Sequence, residues 1–469
     1  MKRLISVLIL LLTLCSCAGK IGQESLPSAQ PKYVFLFIGD GMAMPQVNAA
    51  EAYLGDVLTE EIDVKRLSFT QFPVMGLMTT FSSDSSITDS ASAATAMASG
   101  AKADSKVLNI TPEGTLLTPF TYNFKQKGYR VGIVSSMPIN HATPAGFYAN
   151  APSRHGGYEI GGQIHKSGFD YFGGGGLMNR FGAENDQEDL YILLRNNGYT
   201  VAETKADILA LTGGNKAVAV NEILHYTYEM PFEIDRADDD LSLADHSRKA
   251  IEMLDNDMGF FLMVEGGKID LACHSNDAAT AIKDVLAFDK AVLEAIAFYH
   301  RHPNETLIIV TADHETGGLT IGNGATGYMT YLEKLYAQKG SYMTFNNEVM
   351  KPYKEGNSVK ESIFELDAEI KNFFGFELGE LGAEEMLELE KAYKSSIEGD
   401  RIGRRLYRGE PLTMALLQIV SKKAGLGWTT RGHTALAVPI FAMGVQAASF
   451  SGYYDNTDIH HKIMALIGQ

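Results

Sequence analysis

Residues 33–42 read Tyr-Val-Phe-Leu-Phe-Ile-Gly-Asp-Gly-Met, and this stretch indicates the fold class. Its first six residues are apolar without interruption, which is typical of a strand that is buried on both faces of a parallel sheet. The strand ends in a tight Gly-Asp-Gly loop that presents the carboxylate of Asp40. A helix is predicted from about Pro45. The stretch therefore predicts a strand–loop–helix unit of an α/β protein.

The same alternation of strand and helix continues along the chain. Strands are predicted at Tyr33–Ile38, Arg130–Ser135, Tyr199–Ala202, Ala217–Val220, Phe260–Val264, Leu307–Thr311 and Leu436–Met443. Helices are predicted at 120–127, 186–196, 241–255, 277–300 and 458–467. The four glycines at 173–176 lack the context of a dinucleotide-binding loop and are interpreted as a turn. This pattern predicts a three-layer α/β/α sandwich around a central, largely parallel sheet.

The chain has 469 residues, which is enough to bury a large core. Length alone suggests two or three domains, but large α/β enzymes are often longer single units. We predict a single catalytic domain over residues 32–469. Within it, residues 325–428 are rich in Glu, Lys, Tyr and Met and show a mostly helical pattern without a metal-ligand cluster. We interpret this segment as a helical insertion before the last core strand.

The N-terminus has the pattern of an export signal. Lys2 and Arg3 precede an apolar run that is too short to span a bilayer in the mature protein. The run ends in Leu-Cys-Ser-Cys and resembles a bacterial lipoprotein signal, so we expect residues 1–16 to be removed and Cys17 to carry lipid. An ordinary cleaved signal peptide is the alternative. Residues 17–31 would tether the protein to a membrane in the periplasm or cell envelope.

Charge and cysteine content limit the partners and cross-links of the mature chain. The net charge is −17, with no basic run after the first three residues, which argues against a nucleic-acid partner. An anionic substrate would need local positive charge, from metals or from a placed arginine. Cys273 would be the only remaining thiol, so no internal disulfide is expected.

A second stretch, residues 87–98, places a serine at the predicted start of a helix. Asp89 or Thr88 can cap this helix, and its small residues allow close packing against a neighbour. Ser90 would lie in the first turn, where free backbone N–H groups and the helix dipole favour an anion. Such a serine can hold a phosphate or attack one, although most serines at this position are simple caps.

Polar residues that suit metal binding follow several predicted strands. They are Asp40, His141, Glu265, Asp313 and His314. The carboxyl ends of strands in an open α/β sheet form the edge where ligands bind. Asp270 and His274 are four residues apart and share a helix face, and His433 precedes the last predicted strand. Each residue alone is more often a surface or capping residue, but as a set they indicate a metal centre.

The donor types suggest which metals would bind. Three carboxylate and imidazole ligands with an open fourth position are typical of catalytic zinc. Glu265 and Thr143 offer oxygen only, which suits magnesium with retained waters.

In their order along the chain, these residues resemble the motifs of the alkaline phosphatase family. The matching blocks are Phe37-Ile-Gly-Asp40-Gly-Met, Thr88-Asp-Ser90-Ala-Ser-Ala-Ala-Thr-Ala, His141-Ala-Thr143-Pro-Ala, Ser153-Arg154, Val264-Glu265-Gly-Gly-Lys-Ile-Asp270 with His274, Thr311-Ala-Asp313-His314 and Gly432-His433-Thr. The combination is specific, although no single block is.

The resemblance implies a phosphomonoesterase with three metal ions. By this resemblance, Asp270, His274 and His433 hold the first zinc. Asp40, Asp313 and His314 hold the second zinc, beside Ser90. Asp40, Thr143 and Glu265 reach a third ion, usually magnesium. Arg154 would grip two phosphate oxygens through its planar fork.

The resemblance also implies a reaction and a substrate class. Ser90 would form a phosphoserine and then release inorganic phosphate and an alcohol. A metal would activate this serine, so no Ser–His pair is expected. Contacts through phosphate oxygens alone predict broad activity on small phosphate monoesters. The oligomeric state stays open, with a homodimer among the alternatives.

Two positions depart from much of the family. Many bacterial members have Asp where this chain has His141, whereas other members, including animal enzymes, have His. An imidazole there leaves zinc or cobalt as alternatives to magnesium in the third site. Leu271 follows Asp270, at a position where other members often carry a polar, basic or aromatic residue near the phosphate. Because leucine cannot bind phosphate through a water molecule, the affinity for the product phosphate is expected to differ from that of these members.

Two other functions are alternatives to a phosphomonoesterase. A phosphodiesterase or sulfatase of the same superfamily is the nearest. Sulfatases need a Cys/Ser-x-Pro-x-Arg motif, which residues 89–94 lack, and diesterases usually lack equivalents of Arg154 and of the third site. A non-catalytic, phosphate-binding lipoprotein would be expected to have lost Ser90 or a ligand, and none is missing.

Overall fold

The computed structural model describes residues 30–58, 63–356, 361–399 and 409–468. The predicted signal peptide, the predicted lipid attachment at Cys17 and all but the last residues of the predicted tether lie outside these ranges. In the part of the chain that is described, none of the helices has the length and apolar character needed to cross a bilayer.

Fourteen strands are present in these ranges, ten of them in one central sheet. They are β1 (Tyr33–Gly39), β2 (Val74–Thr79), β3 (Arg130–Ser135), β4 (Tyr171–Gly174), β5 (Tyr199–Ala202), β6 (Lys216–Val220), β7 (Phe260–Gly266), β8 (Thr306–Ala312), β9 (Glu315–Thr316), β10 (Leu319–Ile321), β11 (Leu426–Trp428), β12 (His433–Thr434), β13 (Val438–Gly444) and β14 (Gly452–Asp455). The order in the central sheet is β14-β2-β13-β8-β1-β7-β3-β4-β6-β5.

The central sheet is parallel except for β13, which pairs antiparallel with both of its neighbours. The centre of the sheet is β1, all seven residues of which are buried, as the apolar run predicts. Gly39 at the end of β1 is in register with Gly266 of β7 and Ala312 of β8. The loops that follow these three strands therefore begin at the same edge of the sheet.

Helices pack on the sheet and connect its parallel strands. They are α1 (Met44–Leu58), α2 (Ser90–Ser99), α3 (Phe120–Gln126), α4 (Ala142–Ala145), α5 (Gly157–Gly161), α6 (Ile164–Ser167), α7 (Leu190–Asn196), α8 (Lys205–Ala210), α9 (Leu243–Leu254), α10 (Lys268–His274), α11 (Ala278–Arg301), α12 (Tyr342–Thr344), α13 (Lys351–Glu355), α14 (Asp367–Phe374), α15 (Ala383–Glu398), α16 (Pro411–Lys423) and α17 (Thr457–Ile467). The predicted α/β architecture is confirmed.

Most predicted elements have counterparts, but the short strands β9–β12 have no counterpart in the prediction, and three strands of the central sheet and one helix boundary also differ from it. Strands β2, β4 and β14 are additional, and β14 extends the sheet after the strand that was expected to be last. The helix predicted from residue 186 begins only at Leu190, because Asp189 caps it by accepting a hydrogen bond from the N–H of Tyr191.

The interpretation of the four glycines at 173–176 as a turn is wrong for the first two, which end β4. Gly174 has a φ of +114°, and a Cβ there would lie 1.9 Å from the carbonyl oxygen of Ser135. Glycine is required because the backbone of β4 approaches that of β3 so closely.

The segment 325–428 is mostly helical where it is described. It contains α12–α16 and ends in β11, which pairs with β10 outside the segment. Near its start, Gln338 donates a hydrogen bond of 2.8 Å to the buried carboxylate of Asp277, and the N–H of Tyr342 donates one of 2.9 Å. Asp277 caps α11, so the segment is fastened to the central layer.

Candidate active site and metal centre

Three groups of potential metal ligands lie at the carboxyl edge of the sheet. Each group offers one ligand atom per residue, and the atoms of a group lie within 4.8 Å of one another. The groups are Asp270 with His314 and His433, Asp40 with Asp313 and His314, and Asp40 with His141 and Glu265. The common register of β1, β7 and β8 brings together the ligands at their carboxyl ends, as the sequence predicts, while His141 follows β3, which pairs with β7, and β12 carries His433.

The first group is built on α10, which carries Asp270 and His274 one turn apart. The Nε2 atom of His274 lies 3.2 Å from the carboxylate of Asp270 and 3.2 Å from Nε2 of His433. His433 Nε2 lies 3.6 Å from Asp270. The three predicted ligands of the first zinc are therefore adjacent, and His314 joins them through its stacked contact with His433, at 3.6 Å between ring centroids.

Backbone carbonyls orient these two imidazoles. Nδ1 of His274 lies 2.6 Å from the carbonyl oxygen of Arg431, and Nδ1 of His433 lies 2.9 Å from that of Thr88. A carbonyl only accepts hydrogen bonds, so each Nδ1 carries the proton in these contacts. With each Nδ1 bonded to a carbonyl, Nε2 is the atom of each ring that remains to bind a cation, and the two Nε2 atoms lie 3.2 Å apart.

A similar hydrogen-bond chain fixes His314. The hydroxyl of Thr316 donates to Asp270 at 2.5 Å, so it must accept from Nδ1 of His314, 3.3 Å away. Nε2 of His314 therefore carries a lone pair and lies 3.3 Å from the carboxylate of Asp40 and 3.4 Å from that of Asp313. Burial, together with His433, keeps the pKa of His314 well below its usual value, so the ring is neutral.

The carboxylates of the second group are crowded and buried. Asp40 is 1% and Asp313 0% exposed, and one carboxylate oxygen of each accepts no hydrogen bond from the described residues. Burial, and then repulsion from other carboxylates, raises the pKa of Asp313 to about 8 and that of Asp40 well above its ordinary value. Buried carboxylate oxygens that accept no hydrogen bond are typical of cation sites.

The third group contains mixed donors. The hydroxyl of Thr143 donates to Asp40 at 3.5 Å, and that of Ser135 donates to Glu265. Burial raises the pKa of Glu265 to about 7. Burial and the nearby guanidinium of Arg154 lower the pKa of His141 to about 3. His141 is therefore neutral, and its Nδ1 atom has no partner among the described residues.

Ser90 is the first residue of α2, which is the predicted position at the start of a helix, and its side chain is buried. Asp89 is the N-cap and accepts a hydrogen bond from the N–H of Ser92 at 3.2 Å. Oγ of Ser90 lies 3.3 Å from Nε2 of His314, so the predicted ligand of the second zinc is in direct contact with the serine. The serine thus lies beside the second group.

Arg154 connects the serine helix to the third group. Its Nη1 atom donates to Asp89 at 2.8 Å, and its Nη2 atom lies 3.0 Å from Nε2 of His141. Burial alone would raise the pKa of Asp89, but Arg154 and the N–H of Lys106 lower it to about 2. The guanidinium is thereby held at the mouth of the site, where a cavity of about 530 Å³ begins.

All predicted site residues lie at this edge of the sheet, and the structure adds others. Thr316 and the carbonyl groups of Thr88 and Arg431 orient the imidazoles. Thr316 lies in β9, two residues after His314. In an extended segment, residues two apart point to the same side, so this spacing could have indicated that Thr316 lies beside His314. A carbonyl oxygen is common to every residue and gives no such signal. Leu271 lies half-buried on α10.

A sequence model of the family described as alkaline phosphatase matches residues 31–469. The chain belongs to the alkaline phosphatase family. Among curated relatives, Alkaline phosphatase 3 of Bacillus subtilis (strain 168) is 31% identical over 442 residues, which cover 91% of this chain and 87% of the relative. The predicted family and the predicted enzyme class, a phosphomonoesterase, are confirmed.

Solved alkaline phosphatases share the architecture. The cold-active enzyme from the psychrophile Shewanella sp. has a TM-score of 0.78 and 29% identity, with coverage of 93% of this chain and 100% of that one. A variant of the TAB5 alkaline phosphatase with Mg bound in its M3 site has a TM-score of 0.63 and 27% identity, with coverage of 93% and 98%. The family relationship thus extends through the whole fold.

Proposed function

We propose that this protein hydrolyses small phosphate monoesters through a phosphoserine on Ser90 and releases inorganic phosphate and an alcohol. The observation that carries the proposal is the position of Ser90 Oγ. It lies at the start of α2, 3.3 Å from a histidine that is shared by two of the candidate metal groups.

We assign two Zn²⁺ ions and a third ion to this site. Asp270, His274 and His433 would hold the first Zn²⁺, and Asp40, Asp313 and His314 the second. Asp40, Thr143 and Glu265, with His141, would hold the third ion. Mg is bound in the M3 site of a TAB5 variant in which a histidine is replaced by glutamate, so oxygen donors favour magnesium there, whereas the nitrogen of His141 favours zinc or cobalt in this chain. When bound, such cations neutralise the attacking and leaving oxygens of an in-line phosphoryl displacement.

The chain's own groups place the phosphate. The N-terminus of α2 directs free N–H groups and a positive dipole end toward the anion. Arg154 supplies a planar fork for two of its oxygens, and Asp89 fixes the orientation of that fork through the 2.8 Å ion pair. These contacts recognise the phosphate and leave the alcohol to the cavity beyond Arg154.

His314 is assigned to metal binding and not to proton transfer. Its pKa is far below the usual value, so it is a poor acceptor for the proton of a serine hydroxyl. Its Nε2 atom also faces two carboxylates that need a cation. The 3.3 Å contact therefore shows how close Ser90 lies to the proposed metal site. It is not a catalytic Ser–His pair.

Purified protein is expected to cleave p-nitrophenyl phosphate faster than bis(p-nitrophenyl) phosphate at alkaline pH. Ser90→Ala is expected to lose most turnover while it still binds zinc and phosphate, because no metal ligand is altered. A preference for the bis ester would favour the phosphodiesterase instead. Full turnover in Ser90→Ala would exclude the serine mechanism, and the zinc content of the variant is the control for an intact site.

We further propose that the mature enzyme is a lipoprotein of the periplasm or cell envelope, anchored through Cys17 after removal of residues 1–16. Residues 17–31 would be a tether, and residues 32–469 would be one catalytic domain with an insertion at 325–428. Cell fractionation tests the anchor. Phosphatase activity should sediment with membranes for the wild type and be soluble for Cys17→Ala. Sedimentation of both would refute lipidation of Cys17.

A further inference from the structure

A cavity of about 530 Å³ opens directly beside Arg154 and His141. Its volume lies in the range typical of small-molecule sites. Cationic and polar side chains line this cavity, including Lys106. Met178, Tyr226 and Tyr228 line the same cavity. The cavity therefore combines groups that suit an anion with side chains that suit a flat apolar ring.

The tyrosines that line the cavity are solvent-exposed although they are large side chains. Tyr226 is 84% exposed and Tyr228 is 47% exposed. Tyr228 also has a φ of +71°, a left-handed conformation that is unfavourable for an aromatic residue. Exposed aromatic surface on a strained turn contributes little to folding, and such strain is common at ligand sites.

The turn that carries these tyrosines is firmly anchored. The N–H and hydroxyl of Thr227 both donate to Glu229, at 2.8 and 2.6 Å. Glu229 is only 2% exposed, and its carboxylate lies 3.6 Å from the ammonium of the buried Lys268. Lys268 is the first residue of α10, the helix that carries Asp270. A buried ion pair thus links the tyrosine turn to a metal-binding helix.

Backbone hydrogen bonds attach both ends of the turn to the sheet. The N–H of Gly176, just after β4, donates to the carbonyl of Tyr228 at 2.7 Å. The N–H of Met230 donates to the carbonyl of Ser136, just after β3, at 2.9 Å. The backbone of the turn is therefore fixed relative to the sheet before any ligand binds, which lowers the entropic cost of binding.

We propose that the cavity lined by Tyr226 and Tyr228 binds the aromatic leaving group of a phosphate monoester. This rests on the proposed phosphomonoesterase function and adds a substrate preference to it. Arg154 holds the phosphate, and the tyrosines that line the same cavity offer their faces to a ring, as in an aryl phosphate or a nucleoside monophosphate. An aliphatic alcohol such as glycerol cannot use these faces.

The test compares kcat/KM for three substrates: phenyl phosphate, adenosine 5′-monophosphate and glycerol 1-phosphate. In Tyr226→Ala we expect the aromatic-to-glycerol ratio of kcat/KM to fall about fivefold, the loss typical of one aromatic contact. Tyr226→Phe keeps the ring and should keep the wild-type ratio. Tyr328→Ala, at a fully exposed tyrosine that does not line the cavity, is the matched control and should also keep it.

If the ratio of kcat/KM in Tyr226→Ala falls for only one of the two aromatic substrates, the result supports the proposal and identifies the ring that the cavity accepts. The wild-type ratio for both aromatic substrates in Tyr226→Ala would overturn the proposal, and so would an equal fall in Tyr226→Phe. Neither result affects the role of Ser90. The proposed function instead fails if wild-type protein cleaves none of the three substrates or if Ser90→Ala cleaves them normally.

Discussion

Replacing Asp89 should separate the charge of this residue from its capping role. One carboxylate oxygen accepts from the N–H of Ser92 at 3.2 Å and from that of Lys106 at 2.8 Å, and the other accepts from Arg154 at 2.8 Å. Asp89→Asn keeps an oxygen for the two N–H groups but removes the charge that faces Arg154. Asp89→Ala removes both functions.

The magnitude follows from the pKa of Asp89, which is lowered from 3.8 to about 2 in the folded protein. At about 1.4 kcal/mol per pKa unit, this corresponds to about 2 kcal/mol of stability, which is the loss expected for Asp89→Asn at pH 7. Asp89→Ala should lose about 1 kcal/mol more, the usual contribution of an N-cap. Both variants should lose kcat/KM, because Arg154 is no longer oriented.

The sign of the pH dependence is fixed by the direction of the shift. A lowered folded pKa stabilises the protein above the unfolded pKa, and this contribution is lost as pH falls through the folded pKa. Urea unfolding, followed by the fluorescence of the single tryptophan, Trp428, should therefore show a constant difference between wild type and Asp89→Asn above pH 4. The difference should shrink toward pH 2. A difference that grows on acidification, or equal stability of the Asn and Ala variants at pH 7, would refute this reasoning.

Three further predictions test the fold and the site. Gly174→Ala should destabilise the protein by about 3 kcal/mol or more, because the new Cβ would clash with the carbonyl of Ser135. Gly198 also has a positive φ, of +84°, but open space surrounds it. Gly198→Ala should therefore lower the free energy of unfolding in urea by only about 1 kcal/mol. Arg154→Lys should raise KM for p-nitrophenyl phosphate about tenfold, because a point charge cannot replace the fork, and an unchanged KM would exclude phosphate binding by Arg154. A chelator should abolish activity and lower Tm, because removal of the cations leaves the crowded carboxylates to repel one another. Addition of Zn²⁺ and Mg²⁺ should restore both activity and Tm. An unchanged Tm would contradict a metal at this site.

The positions of the central strands and their ligands could be predicted because strong local signals determine them. The apolar run of β1 can be buried only between two layers, and parallel pairing then brings Asp40 and Asp313 to the same edge. The helix of Ser90 was predictable for a similar reason, since Asp89 and the small residues after it form a local capping pattern. These signals lie within a few residues of each other along the chain.

The parts that could not be predicted depend on contacts between distant segments. Strand β4 ends in glycines whose role becomes visible only beside Ser135. The contact of Ser90 with His314 joins residues 224 positions apart. The carbonyl of Thr88 orients His433, but any residue type could supply that oxygen. Tertiary geometry, not residue type, determines these features.

Acid quenching during turnover, followed by peptide mass spectrometry, tests the central role of Ser90 most directly. Wild-type protein that is mixed with p-nitrophenyl phosphate and quenched should carry one phosphoryl group on the peptide that contains Ser90, and fragmentation should place it on that serine. The same peptide from Ser90→Ala should carry none. A phosphoryl group on another residue, or rapid turnover without any phosphorylated peptide, would contradict the account.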